Sequence, residues 1–147
     1  MSIAQTTGIK DLFGYKLKKT QHALRIKMDE NLKVLGLTTP QYAVLAQLEL
    51  NPGISNASLA RVAFITPQSM HGIVSNLEKR SLVHRESSIS HGRILCTQLT
   101  KNGHKILTKA HEIISKTESI MLATINKEEK ELFEKLLLAC LNNLLTK

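Results

Sequence analysis

Between Leu50 and Leu77 the chain carries one formal charge, Arg61, among uncharged hydrogen-bonding side chains: Ser55, Asn56, Ser58, Thr66, Gln68, Ser69, His71, Ser75 and Asn76. Amides and hydroxyls suit polar edges better than bulk charge. Gln and Asn offer a donor and an acceptor together, which matches both edges of adenine. His and Ser donate or accept, and Lys79, just beyond, can reach guanine or phosphate. The flanks are basic: residues 1–37 carry seven Lys/Arg against three Asp/Glu, and residues 81–104 are net +2. The 147-residue chain is +8 overall. A polyanion, either nucleic acid or an anionic membrane surface, is therefore the first partner class. Charge of this distribution suits attraction and grip, and the neutral stretch suits choice of site.

Other chemistries find little support. There is no nucleophile elbow, phosphate-binding loop or His-x₃-His metal pattern, so no enzyme, cofactor or metal site is expected. His71, His84, His91 and His104 fall on different predicted elements, which leaves zinc only a weak reading. Cys96 and Cys140 are far apart and read as reduced thiols. Trp is absent and only five aromatics occur, against a base-stacking platform for single strands. No apolar run reaches 18 residues, and the first residues lack the basic start and apolar stretch of a secretory signal. A cytoplasmic protein without membrane contact is the expectation.

The elements that position the polar stretch follow from periodicity and punctuation. A long helix is predicted from about Ile9 to Leu35, stopped by Gly36. Thr39-Pro40-Gln41 opens a second helix, with Thr39 as its cap and Tyr42, Leu45 and Leu48 buried. After the Asn51-Pro52-Gly53 turn, Ser55 caps a short helix from about Asn56 to Ala63. Thr66-Pro67-Gln68 then starts another, to about Arg80, with Met70, Ile73, Val74 and Leu77 on one face. Two helices so closely joined form a helix-turn-helix. Leu82–Glu86 and Arg93–Leu99 read as a hairpin across a polar turn. Thr100 caps a helix to about Ala123, and Asn126 with Glu129 opens the last one. That last helix has a wide apolar face, from Leu132 to Leu145, for which a partner subunit is the expected cover. The fold class is mainly α (α+β): a winged helix-turn-helix over about 38–100, with flanking helices over about 9–35 and 101–145 forming a dimerisation region.

With Met70, Ile73, Val74 and Leu77 inward, Gln68, Gly72, Ser75 and Lys79 point outward at 100° per residue, flanked by His71 and Asn76. This surface suits a major groove of double-stranded DNA. Gly72 removes a side chain where a duplex would approach. Thr66 and Ser69 at the helix start suit a phosphate. Ser55, Asn56 and Pro67 complete the candidate set on the helix pair. On the hairpin, Arg85 and Arg93 are the candidates, since an arginine can enter a narrow minor groove.

The sequence resembles the MarR family of bacterial transcriptional regulators. Leu37-Thr38-Thr39-Pro40-Gln41-Tyr42 is similar to the family's second-helix entry, and Gly53-Ile54-Ser55-Asn56-Ala57-Ser58-Leu59-Ala60 to its helix-turn-helix entry. Ile65-Thr66-Pro67-Gln68-Ser69-Met70 and Leu77-Glu78-Lys79-Arg80-Ser81-Leu82-Val83-His84-Arg85 resemble the recognition helix and first wing strand, and Leu99-Thr100-Lys101-Asn102-Gly103 the segment after the wing. The resemblance implies a homodimer on a pseudo-palindromic operator, usually a repressor. It also implies a small phenolic or anionic effector, bound between the DNA-binding lobe and the dimer helices, that releases DNA. Tyr15, His22 and Arg25 are compatible with lining such a pocket, and equally with ordinary core and solvated positions.

Three departures from the family pattern stand out. His91 stands two residues before Arg93, where an Asp is common, which predicts a looser or pH-sensitive wing. Ser81 replaces a usual Gly at the recognition-helix exit. No reactive Cys lies near the start of the first helix, and Cys140 falls on an apolar face, where packing is its expected role. The alternative to sequence-specific DNA binding is a winged-helix module that binds protein instead.

Overall fold

The computed structural model describes residues 8–88 and 94–146. Its helices are α1 (Phe13–Leu32), α2 (Thr39–Leu50), α3 (Asn56–Val62), α4 (Pro67–Lys79), α5 (Lys101–Met121) and α6 (Lys127–Leu145); the strands are β1 (Val83–Ser88) and β2 (Ile94–Leu99). The predicted first helix is interrupted. A 3-10 turn at Ile9–Asp11 precedes α1, and a second at Lys33–Leu35 closes it on Gly36. Gly36 has φ +64°, the left-handed conformation that ends many helices.

The cap of α2 is Thr38, not Thr39. Its hydroxyl accepts from the Gln41 N–H at 3.3 Å, and the Gln41 side-chain oxygen accepts from the Thr38 N–H at 3.0 Å. This reciprocal pair needs its members three positions apart, so Gln41 selects Thr38. Thr39 becomes the first helical residue and donates its N–H to Asp29 Oδ1 of α1 at 2.7 Å. Ser55, Thr66 and Asn126 cap α3, α4 and α6 as predicted. The Thr100 hydroxyl accepts from the Gly103 N–H at the start of α5.

The chain divides into two compact units, one ending at Thr117 and the other running from Glu118. The core of the first joins Leu32 and Leu37, Val44, Leu45 and Leu48 of α2, and Leu59 and Ala60 of α3. Met70, Val74 and Leu77 of α4, Leu82 and Val83 at the start of the hairpin, and Leu107, Ala110 and Ile114 of α5 complete it. Met70, Val74 and Leu77 recur at i, i+4 and i+7, so burying them fixes which face of α4 is left for solvent. Tyr42 of α2 meets His111 of α5 through its hydroxyl at 2.9 Å, and the other ring nitrogen of His111 lies 3.0 Å from Glu49.

β1 and β2 pair antiparallel, with Val83 opposite Leu99 and Ser88 opposite Ile94. Ser55 adds a bridge to Cys96, so the start of α3 is stitched to the second wing strand, a link the hairpin pattern alone does not contain. Ser81 takes φ +58° and so makes the turn that glycine usually makes there. Gly103 lies against the backbone of Leu82 so closely that a Cβ at this position would collide with the Leu82 carbonyl oxygen.

In the second unit every described apolar side chain of α6 is at least partly open in a single copy. Leu136 is 52% exposed, Leu141 50% and Leu144 84%.

Candidate nucleic-acid interface

The outer face of α4 has the composition predicted for it. Pro67, Gln68, Ser69, His71, Gly72, Asn76 and Lys79 are exposed, and Ser75 is half-buried. Thr66 is exposed, with its hydroxyl accepting from the Ser69 N–H at 3.2 Å, so the first turn of α4 is closed by its own cap. A Cβ at Gly72 would meet no atom within 4 Å. Packing therefore does not demand glycine there, and its effect is to keep the outer surface low.

Several candidates already have partners within the protein. Ser55 Oγ caps α3 by accepting from the Ser58 N–H at 3.2 Å. Asn56 is half-buried, and its Oδ1 accepts from the Thr97 hydroxyl of β2 at 3.0 Å. Both residues thus anchor the wing to the helix pair. Arg85 donates through Nε to Glu78 Oε2 at 2.8 Å, and its Nη2 donates to the same oxygen. The guanidinium of Arg85 is thereby held along α4. Arg93 and His91 lie outside the described residues.

Some residues at this surface were not singled out by sequence reasoning. Glu78 orients Arg85. Gln41 donates through Nε2 to Asn76 Oδ1 at 3.0 Å, so α2 supports the α4 face directly. Arg61, the lone charge of the neutral stretch, is exposed on α3 and donates to Ser58 Oγ at 2.9 Å. The first helix of such a pair crosses the DNA backbone, where an exposed arginine suits phosphate. Arg80 donates to the carbonyls of Gly36 and Leu35 at 2.7 and 3.1 Å, tying the end of α4 to the end of α1. Only the solitary charge of Arg61 was visible as a signal; the other pairs are 7 to 45 residues apart in sequence.

Beside the face lies an open cleft of about 640 Å³, lined by Arg25 of α1, Thr38, Pro40 and Gln41 at the start of α2, Phe64 in the helix-turn-helix turn, and the Asn76 side of α4. Arg25 is only loosely engaged, 3.9 Å from Asp29. Phe64 is 97% exposed at φ +55°, an aromatic ring held at the mouth of the cleft. A cation and an apolar ring lining one cleft suit a small aromatic anion. Tyr15 and His22 do not line this cleft.

The carboxyl of Asp29, behind Arg25, has a displaced pKa. Burial works to raise it, but the Thr39 N–H and the charges of Arg25 and Lys33 prevail and hold it below its ordinary value. Among the described residues no group of His, Cys, Asp and Glu is arranged to hold a metal ion. No described helix is long and apolar enough to cross a membrane.

Comparison with known proteins agrees with this geometry. The sequence model of the MarR family matches residues 35–94. The chain is 34% identical over 124 residues to the HTH-type transcriptional repressor Rv2887 of Mycobacterium tuberculosis, covering 84% of this chain and 89% of that one. The crystal structure of that protein, described as a MarR family protein, in complex with salicylic acid superposes with a TM-score of 0.75 at 32% identity, covering 88% and 96% of the two chains. Its complex with DNA gives a TM-score of 0.75 at 28% identity, covering 88% and 97%.

Proposed function

The chain belongs to the MarR family of transcriptional regulators, and from this we propose that it acts as a homodimeric repressor. In this reading it binds a pseudo-palindromic operator in the cytoplasm and a small phenolic carboxylate releases it. The observation that carries the reading is the α4 face, where Gln68, His71, Gly72 and Lys79 are exposed on an almost uncharged helix. Such a face can discriminate base edges, because its contacts are directional hydrogen bonds rather than unspecific charge. The basic flanks supply the phosphate attraction that any duplex feels. The relative complexed with salicylic acid supports an aromatic carboxylate as effector. Arg25 and Phe64 in the cleft supply a cation and a ring that suit it.

Symmetry follows from the unpartnered apolar face of α6. Two copies joined there would present two reading helices, and a two-fold protein reads a two-fold site.

The test is site selection from a random duplex library, followed by affinity for the selected site against a scrambled duplex at fixed salt. A palindromic site and a preference of about 10³-fold or more are expected. Affinity should fall by roughly 10³–10⁵-fold between 50 and 200 mM salt if about 6–10 phosphates are contacted. Gln68→Ala should flatten the preference more than it weakens unspecific binding. Salicylate should release the duplex. A dimer with no salt-dependent affinity for any duplex would instead identify a protein-binding module.

A further inference from the structure

We infer that Gln41 fixes the amide of Asn76 so that only its NH₂ group faces outward, which makes Asn76 a reader of guanine rather than adenine. The inference rests on the reading-face role of α4 and adds a base identity to it.

The orientation follows from one atom that cannot be misassigned. A backbone N–H only donates, so the Gln41 atom 3.0 Å from the Thr38 nitrogen is the oxygen, Oε1. The other end of the amide is then Nε2, which can only donate. It lies 3.0 Å from Asn76, so the Asn76 atom it meets is the acceptor, Oδ1. The remaining end of Asn76 is Nδ2, with two N–H donors and no acceptor. Reading adenine through both edges needs an asparagine oxygen to accept from N6 while Nδ2 donates to N7. Here that oxygen is turned back toward α2. Guanine presents two acceptors in the major groove, N7 and O6, which suit a group that only donates.

Gly72 makes a base edge, rather than a phosphate, the better target. It lies one turn before Asn76 on the same side of α4 and carries no side chain, while nothing in the protein occupies the space its Cβ would fill. A short asparagine needs this close approach to reach into a groove. Gln41 is thus a positioning residue, acting on DNA only through Asn76.

Gln41→Glu separates this role from a structural one. Glutamate keeps the reciprocal cap, since one carboxylate oxygen accepts from the Thr38 N–H. Its second oxygen can only accept, so Asn76 must turn its NH₂ inward and its oxygen outward. Site selection with the full-length parent should yield guanine at one symmetry-related pair of positions. Asn76→Ala should lower that preference by about 5- to 10-fold. Gln41→Glu should replace guanine there by adenine or cytosine, whose N6 and N4 amino groups donate, with a melting temperature close to the parent's. An unchanged base preference in Gln41→Glu overturns the inference, as does an Asn76→Ala variant that weakens every duplex equally. Failure of α4 as the reading helix would look different: the parent would select no site, or Gln68→Ala would leave selection intact.

Discussion

Arg85 and Glu78 join the first wing strand to α4 through a single carboxylate oxygen. Arg85 Nε donates to Glu78 Oε2 at 2.8 Å and Nη2 donates to the same atom; the two side chains are 23% and 37% exposed. The pair sets where β1 leaves α4. Glu78→Ala should lower stability by about 1 kcal/mol, given this partial exposure, and the melting temperature by about 3–4 °C. The ratio of specific to unspecific DNA affinity at fixed salt should fall as well. Losing a negative charge strengthens attraction to any duplex, so the ratio is the quantity to measure.

Ser81 holds a left-handed backbone at φ +58°. A side chain there costs about 1–2 kcal/mol, partly offset by the greater unfolded-state freedom of glycine. Ser81→Gly is therefore expected to stabilise the protein by about 0.5–1 kcal/mol. Urea unfolding checks this; DNA affinity should not change.

Asp29 should show itself in acid. Its folded pKa lies below the ordinary 3.8, so its charge contributes stability above that pH, which is lost as the pH falls through the folded value. Asp29→Asn should be less stable than the parent at pH 6, with the gap closing below about pH 4. The effect should be a fraction of a kcal/mol, because the carboxylate is 40% exposed and solvent-screened. Equal gaps at pH 6 and pH 3 would mean that the charge is not what holds the start of α2.

Arg25 should matter more to effector response than to DNA grip. It lines the cleft and its pairing with Asp29 is loose. Arg25→Ala should raise the salicylate concentration needed for release by about tenfold, the loss of one charge-assisted hydrogen bond. Duplex affinity without salicylate should change less than the salicylate response does, since the loss of one exposed charge is screened at physiological salt.

Leu137 sits on the α6 face at 40% exposure, near Leu141. Leu137→Asp should place an unpaired charge in any interface built there and yield a monomer by sedimentation. The monomer should retain half-site binding and lose the tight affinity for the full palindrome. A dimer that survives would move the interface elsewhere.

The helices were legible because their signals are local. Thr66 before Pro67, and Asn126 with Glu129, each mark a start within four residues, and the buried side of α4 repeats within two turns. At α2, Pro40 points to Thr39 as the cap, whereas the Thr38–Gln41 spacing selects Thr38. What stayed hidden was how side chains from separate elements occupy one another. Asn56 looked free until β2 brought Thr97 to it, and Arg85 looked free until the turn at Ser81 folded it back on Glu78. A residue type announces which hydrogen bonds it can make, and only the fold decides which are already taken.

The missing side chain of Gly103 has a mechanical consequence. Without a Cβ, the first turn of α5 rests on the Leu82 backbone at the root of β1, and the Thr100 hydroxyl donates to the Ser81 carbonyl at 2.6 Å beside it. With no soft side chain between them to absorb displacement, helix and strand behave as a rigid lever. A tilt of the first turn of α5 swings the wing root with it, so torque on that helix is felt where the wing begins.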